Sequence, residues 1–383
     1  MFNGKRLSLA RRRRGLSKKG FAEALDIHPR TVMRWEDGER LPNAEEVSRI
    51  ATCLKFPEAF FFGSEVDEPT VLAASFRNLT ASSAIEIDAA ITAGAASFRS
   101  LSAMPARDRD AALAAGAIGY LLGDWVEERF SLPLHDLDDL SHETPDGAAR
   151  ALREKWGIGE RPISNMIHLL EAKGVRVFSL AENTNTVDAF SVWRRDKPYV
   201  FLNCQKTPER QRFDAAHELA HLVLHKHGGP HGREAEDDAN RFASAFLMPA
   251  SDVLAVIPRV SDLNQMIAAK KRWRVALAAL NYRLHKIGVS SEWQYRTFCI
   301  QIQERGFRKS EPEGIAREIS AVWQKVFDSL RSEKVTKAHI AIELNLPPTE
   351  IENLVFGLTN MLSVEGGAAI SSKSRANLRL VPD

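Results

Sequence analysis

The sequence predicts a mainly helical protein with an α+β core, and three observations support this class. Residues 1–63 divide into five short segments with helix caps and apolar residues at helical spacing. Residues 147–257 place three short alternating strands between pairs of helices. The remaining segments, 64–146 and 258–383, carry few strand signals. A length of 383 residues also fits two or three domains, at roughly 150 residues each.

The composition is that of a globular protein with an uneven charge distribution. Hydrophobic residues make up 44% and charged residues 27% of the chain, which excludes a mostly disordered or collagen-like protein. The net charge is only +2, but residues 1–63 hold 13 Lys and Arg against 8 Asp and Glu. The rest of the chain is slightly acidic. A basic head on an acidic body indicates a polyanionic partner for the head alone.

Cysteine usage and apolar runs indicate a cytoplasmic location. The three cysteines are distant from one another and form no CxxC pair, which argues against a disulfide framework or a cysteine zinc site. The first residues show no signal-peptide pattern. The longest apolar run, Ala111 to Gly123, is too short for a membrane span. We therefore expect no contact with a membrane.

Two helices of the head have the arrangement of a helix-turn-helix. The segment after Ser17 and the segment HPRTVMRWE are joined by a short turn, and Val32 and Trp35 of the second helix can face the core. The outer face then carries the residues that we expect to contact base edges: His28, Arg30, Thr31 and Arg34. Lys18, Lys19 and the Arg11–Arg14 run suit contacts to phosphate.

This head resembles the Cro/cI-type (XRE) helix-turn-helix family. The matching residues are Gly15-Leu16-Ser17, Phe21-Ala22, Leu25, Val32, Arg34-Trp35-Glu36, Gly38 and Leu41-Pro42. The resemblance implies a lambda-repressor-like domain of five helices that binds a double-stranded DNA operator as a homodimer. Lys18 stands where the family often has Gln, and a lysine there can still contact phosphate.

The helical segments beside the core carry weaker signals. Residues 64–146 are rich in alanine, and we interpret them as a helical spacer or dimerisation region that ends in a linker rich in Pro and Asp. In residues 258–383, the cluster Lys270, Lys271, Arg272 and Arg274 is interpreted as a solvated helix face in preference to a second nucleic-acid contact. The segment TKAHIAIELNLPPTEIENLVFGL has a helix-turn-helix rhythm without basic residues, which favours a packing role.

The segment RFDAAHELAHLVLH contains the pattern HExxH on a strongly periodic helix. His217 and His221 are four residues apart, so both imidazoles share one helix face and can reach one metal ion. Glu218 lies beside them and can accept a proton from water at that ion. The helix follows strands, as in zinc peptidases, where an edge strand can hold an extended peptide.

A catalytic zinc needs a third protein ligand. The next helix, EAEDDANRFASAFLMP, offers Glu236, with Asn240 one turn further along as a partner that orients a ligand. Asp238 is the alternative ligand. His225 lies about 80° around the helix from His217, so a lining role is preferred for it. His227 and His231 could bind only if their loop folds back. Tyr199, His225 and Arg212 are equal candidates for the oxyanion donor.

Residues 147–250 resemble the ImmA/IrrE family of metallopeptidases. The matching segments include WGIGERPISNMIHLLEAKGVRVFSL, DAFSVW, RFDAAHELAHLVLH and EAEDDANRFASAFLMP. The resemblance implies a Zn²⁺ peptidase in which His217, His221 and Glu236 bind the metal and Glu218 is the base. It also implies cleavage of a protein substrate or partner, such as a repressor or an antitoxin-like protein.

Three hypotheses for function stay open at this point. The first is a DNA-binding transcription regulator whose attached zinc peptidase cleaves a specific protein. The second is a regulator whose peptidase-like domain has no protease activity and senses a metal, a ligand or a partner. The third is a component of a toxin–antitoxin or phage-immunity system whose head represses its own promoter.

Overall fold

The computed structural model describes residues 1–69, 75–77, 105–180, 187–226, 233–308, 310–359 and 379–380. The helices of the head are α1 (Gly4–Arg13), α2 (Lys18–Ala24), α3 (Pro29–Glu36) and α4 (Ala44–Leu54), followed by a 3₁₀ helix over Glu58–Phe62. Each α-helix begins at a side chain that accepts from a backbone N–H: Asn3, Ser17, His28 and Asn43. The predicted head of five short helices is confirmed.

The long helix α5 (Ala106–Arg129) lies between the head and a β-sheet. Its residues from Ala111 to Val126 are largely buried, and its glycines let it approach the sheet closely. A Cβ atom at Gly119 would lie 2.7 Å from the Phe201 ring, so the position has no room for a side chain. The stretch from Ala111 to Val126 is therefore part of the core, whereas residues 131–144 are mostly exposed or half-buried, and a spacer role for the region stays a prediction. A dimerisation role for this region stays a prediction.

A sheet of four strands has the order β1 (Ser75–Arg77), β4 (Ala189–Arg194), β5 (Lys197–Leu202) and β3 (Arg176–Ser179). Strands β4 and β5 form an antiparallel hairpin, β3 runs parallel to β5, and β1 is antiparallel to β4. The hairpin turns at Arg195 and Asp196, whose φ angles are 49° and 58°. A separate antiparallel pair joins β2 (Phe130–Ser131) to β6 (Arg379–Leu380).

The helices around the sheet complete the α+β core. They are α6 (Pro145–Lys155), α7 (Met166–Ala172), α8 (Pro208–Leu224) and α9 (Arg233–Leu247). Helix α8 packs on β4 and β5, and α9 packs on both α8 and α6. The Trp193 indole of β4 donates to the Leu222 carbonyl of α8 over 3.1 Å, so odd-numbered residues of β4 face this helix. The predicted α-α-βββ-α-α order is confirmed by this arrangement.

Seven further helices follow in the described residues, and the last six of them lie in 258–383, the region predicted to be helical. They are α10 (Ala250–Val256), α11 (Leu263–Trp273), α12 (Leu277–Lys286), α13 (Glu292–Glu304), α14 (Ala321–Ser332), α15 (Lys337–Glu343) and α16 (Pro348–Val355). Helices α15 and α16 pack on each other, and α16 also contacts β3 and α5. Within the described ranges, no helix is long and apolar enough to cross a membrane.

The basic cluster of α11 is the solvated face that the sequence indicated at Lys271 and Arg272, which are exposed, but not at Lys270. The Lys270 side chain is 1% exposed and its Nζ lies 3.1 Å from the Glu311 carboxylate. Lys271 pairs with Glu313, and Arg272 pairs with Asp252 at 2.6 Å. Carboxylates of the same chain therefore pair with three members of the cluster, while Arg274 donates to the Ser164 carbonyl.

Candidate metal centre and nucleic-acid interface

The recognition helix α3 presents one face to the core and one to solvent. Val32 and Trp35 are buried, whereas Arg30 and Arg34 are exposed and Thr31 is half-buried. His28 is exposed at the N-cap, where its Nδ1 accepts from the Arg30 backbone N–H over 3.2 Å. The proposed base-contacting residues therefore share the outward side of α3, with His28 at its start.

The two lysines at the start of α2 differ in their surroundings. The Lys18 ammonium lies 3.2 Å from the Glu36 carboxylate, which also pairs with Arg11 at 2.6 Å. Lys19 has a side chain that is 79% exposed. Lys19 is therefore the freer of the two to approach a phosphate group.

The Arg11–Arg14 run does not form the phosphate-binding surface that the sequence suggested. Arg11 pairs with Glu36, and Arg12 pairs with Glu68. Arg13 and Arg14 both pair with Glu350 of α16, at 2.7 Å and 2.6 Å. The four guanidinium groups therefore pair with carboxylates from three other parts of the chain. These partners could not be predicted from the run of arginines, because they are distant in the sequence.

The structure brings His217, His221 and Glu236 together. The Nε2 atoms of the two histidines are 3.1 Å apart, and the Glu236 carboxylate lies 3.3 Å from His217 and 3.5 Å from His221. Ligands at about 2.0–2.1 Å from a tetrahedral zinc ion are separated from each other by about 3.3 Å. The two imidazole nitrogens and the Glu236 carboxylate, with Oε2 toward His217 and Oε1 toward His221, therefore have the spacing of three ligands of such a site. The donor set of two imidazoles and one carboxylate fits zinc.

Two polar side chains contact the opposite nitrogens of these histidines. Nδ1 of His217 lies 3.1 Å from Oδ1 of Asn240, one turn beyond Glu236 on α9. Nδ1 of His221 lies 2.9 Å from Nδ1 of His225. Such partners fix the orientation of each ring and direct Nε2 toward a metal ion.

Glu218 is fully buried beside this cluster, and Ser191 contacts its carboxylate. The Ser191 hydroxyl, on the face of β4 that covers α8, donates to Oε2 of Glu218 over 2.6 Å. Ser191 was not among the residues predicted from the sequence. The signal was a single hydroxyl among the apolar residues of the strand AFSVW.

The protonation state of Glu236 follows from its neighbours. Burial alone would raise its pKa, but hydrogen bonds from His217 and His221 and the charges of both rings lower the pKa well below its ordinary value. The group is therefore a carboxylate at neutral pH, which is the form that binds a metal ion.

Several expectations for this site need correction. Tyr199 pairs with Val192 and faces α5, where its ring lies 4.8 Å from Tyr120, so the sheet separates it from the histidines. Arg212 is 1% exposed and bonds Glu318 and the Ile163 carbonyl, so it holds the fold together. Asp238 is not part of the cluster within the described residues. His227 and His231 lie outside the described residues.

Comparisons with known proteins identify both the DNA-binding head and the domain that carries the candidate metal centre. Residues 7–61 match the family model Helix-turn-helix, and residues 170–285 match the model IrrE N-terminal-like domain of Peptidase_M78. No curated protein matches the chain. The chain is therefore a fusion of an XRE-type helix-turn-helix domain with an IrrE-like peptidase-family domain. This combination is that of a transcription regulator with a peptidase-like domain.

Proposed function

We propose that this protein is a DNA-binding transcription regulator whose IrrE-like domain is a zinc-dependent peptidase acting on a specific protein. The observation that carries the proposal is the separation of 3.1–3.5 Å among the ligand atoms of His217, His221 and Glu236. An acid suited to proton transfer, Glu218, lies next to them. By the family resemblance, the substrate is a repressor or an antitoxin-like partner.

Each residue of the proposed site has a separate role in peptide hydrolysis. A bound zinc ion supplies Lewis acidity, which polarises the scissile carbonyl and makes water easier to deprotonate. Glu218 accepts a proton from the attacking water and returns it to the leaving amine. Asn240 and His225 hold the two histidine rings, so that both Nε2 atoms stay directed at the ion.

The head carries the second half of the proposed function. Arg30 and Arg34 point outward from α3 and can form paired hydrogen bonds with guanine, while Thr31 can contact a thymine methyl group. Lys18 and Lys19 add contacts to phosphate. We propose a homodimer on a double-stranded operator with paired half-sites, and a cytoplasmic location for the protein.

The test compares the zinc-loaded full chain with its Glu218→Gln variant. Each is incubated with an extract of the source cells, and new protein N-termini are identified by chemical labelling and mass spectrometry. We expect a small set of new termini with the wild type and none with the variant, while both retain zinc and bind the same operator. Equal cleavage by both proteins would contradict the proposed role of Glu218. Zinc binding without cleavage by either would favour the sensor hypothesis.

A further inference from the structure

Helix α13 carries apolar side chains on two opposite faces. The face that packs on α12 consists of four buried residues: Tyr295, Phe298, Cys299 and Ile302. The opposite face carries Trp293 and Ile300, whose exposed fractions are 74% and 58%. These two residues are seven positions apart and therefore lie on the same side of the helix, two turns from each other. Every residue of α12 and α13 belongs to the described part of the chain.

The composition of this outer face is that of an interface. Tryptophan is strongly enriched among the residues that dominate the binding free energy of protein complexes, and such residues lie among polar groups at the rim. On α13, Thr297 lies between Trp293 and Ile300, and Arg296 and Glu304 lie beside them. An apolar centre with charged neighbours therefore faces solvent along the full length of the helix.

The charges of this face are arranged with opposite signs on the two sides of Ile300. Arg296 is four residues before Ile300, and Glu304 is four residues after it. The Arg296 side chain is 40% exposed and bonds Glu292 within the same helix over 2.6 Å, whereas Glu304 is at the exposed end of α13. At a rise of about 1.5 Å per residue, each charge lies about 6 Å along the axis from Ile300.

Such an arrangement is complementary to itself. We propose that the outer face of α13 binds the same face of a second copy of the chain, with the two helices antiparallel and Ile300 packed against Ile300 of the second copy. Arg296 of each copy then lies opposite Glu304 of the other, and a two-fold axis forms both ion pairs at once. A parallel pair would instead place like charges opposite each other. This inference rests on the homodimer in the proposed function.

The contact is small, which sets its expected strength. A helix of 13 residues is about 20 Å long, and a stable dimer usually buries about 800 Å² per partner. One helix face supplies only part of that area, so we expect a weak dimer in the free protein. Paired half-sites hold two copies close together, and the α13 contact then adds to the affinity for the operator through the effective concentration.

The first experiment measures self-association of the full-length chain by sedimentation equilibrium without DNA, at roughly 1 to 100 μM protein. Ile300→Glu places a charge at the centre of the proposed contact, and we expect it to weaken the dimer at least tenfold. Ile342→Glu changes a residue of α15 that is 72% exposed, and this matched control should leave the dissociation constant unchanged. A wild type that stays monomeric, or equal dissociation constants for wild type and Ile300→Glu, would overturn the proposal.

The second experiment exchanges the charges and tests the antiparallel register. Arg296→Glu places two carboxylates opposite each other, and Glu304→Arg does the same with two guanidinium groups, so each variant alone should dimerise at least tenfold more weakly. An equal mixture of the two should form heterodimers as tightly as the wild type, because both contacts then join opposite charges. A mixture that associates no better than its components would contradict the proposed register.

Operator binding by the same variants separates this inference from the proposed function. Each variant is titrated with the operator fragment, with its melting temperature as the control for folding. Cooperative binding of two copies by Ile300→Glu, with its solution dimer intact, would place the homodimer contact elsewhere and overturn only the α13 interface. Neither experiment requires zinc or cleavage, so the outcome does not depend on the peptidase activity.

Discussion

The guanidinium Nε of Arg13 lies 2.7 Å from Oε2 of Glu350, a contact between residues that are 337 positions apart in the chain. The Arg14 guanidinium bonds the other oxygen of the same carboxylate at 2.6 Å. The Glu350 side chain is 1% exposed. Since α16 also contacts β3 and α5, this carboxylate joins the DNA-binding head to the sheet of the peptidase-like domain.

Glu350→Gln is expected to destabilise the protein by about 3 kcal/mol, because two arginines lose the charge that compensates their burial. The melting temperature, measured by scanning calorimetry, should fall by roughly 5 °C or more. Glu352→Gln, on the same helix, is the control. Glu352 pairs with Lys337 near the surface, and such pairs contribute about 0–1 kcal/mol. Equal shifts in the two variants would contradict the account.

Ser191→Ala is expected to lower kcat roughly tenfold with KM unchanged, because Glu218 loses the hydrogen bond that orients it. Ser191→Thr keeps a hydroxyl and should restore most of the activity. A crystal structure of the zinc-loaded alanine variant gives a check that needs no substrate: Glu218 should move while His217 and His221 stay in place. A Glu218 carboxylate that keeps its position would rule out the orienting role.

Asn240→Ala is expected to weaken zinc binding about 10- to 100-fold, because the ring of His217 loses the partner on its Nδ1. Competition with a chromophoric chelator measures the affinity. Asn264→Ala, an exposed asparagine on α11, is the control and should leave the affinity unchanged. An unaltered affinity in Asn240→Ala would mean that the amide does not orient the ligand.

The salt dependence of operator binding distinguishes side chains that contact phosphate from those that do not. Lys19→Ala should reduce the slope of log K against log salt by about one, because it removes a phosphate contact, and Lys18→Ala should weaken binding to all sequences. Arg12→Ala should leave the slope unchanged, since Glu68 already pairs with that side chain. Arg34→Ala should instead reduce discrimination between operators by about 1–3 kcal/mol. A lowered slope in Arg12→Ala would contradict the internal pairing.

Glu171 is expected to make stability depend on pH. Burial raises the pKa of this carboxyl from 4.5 to about 7, although hydrogen bonds from Ser320, Val322 and Ala321 oppose the change. The folded state therefore prefers the protonated form. The stability that this group contributes is fully present below pH 4.5 and is lost as the pH rises through about 7.

The comparison is between the wild type and Glu171→Gln, which cannot ionise. The wild type should lose about 3 kcal/mol relative to the variant between pH 4.5 and 7.5. Glu128→Gln, at a side chain that is 73% exposed, is the control and should follow the wild type. Denaturation curves at several pH values measure the difference. Parallel curves for the wild type and Glu171→Gln would refute the raised pKa.

Local patterns in the sequence were enough for the head and for the two histidines. Helix caps, apolar spacing and the HExxH pattern each depend on residues within about four positions of one another. They can therefore be recognised in the sequence without knowledge of the fold. Glu236 was also a candidate because its helix alternates acids with a clear apolar face. The structure brings it to both histidines, while Asp238 is outside the cluster within the described residues.

The contacts that sequence reasoning missed all depend on tertiary structure. The partner of Arg13 is on the last described helix, and the partner of Glu218 is on a strand 27 residues earlier. Tyr199 was a plausible donor by residue type, but strand alternation in β5 turns it toward α5. One sequence alone does not show which face of a strand packs against which helix.

The most direct test of the metal centre is the zinc content of the purified full-length chain. Elemental analysis should find about one zinc per wild-type chain, the same amount in Asp238→Ala, and almost none in Glu236→Ala or His221→Ala. A wild-type chain that contains no zinc, and gains no thermal stability when zinc is added, would contradict the account.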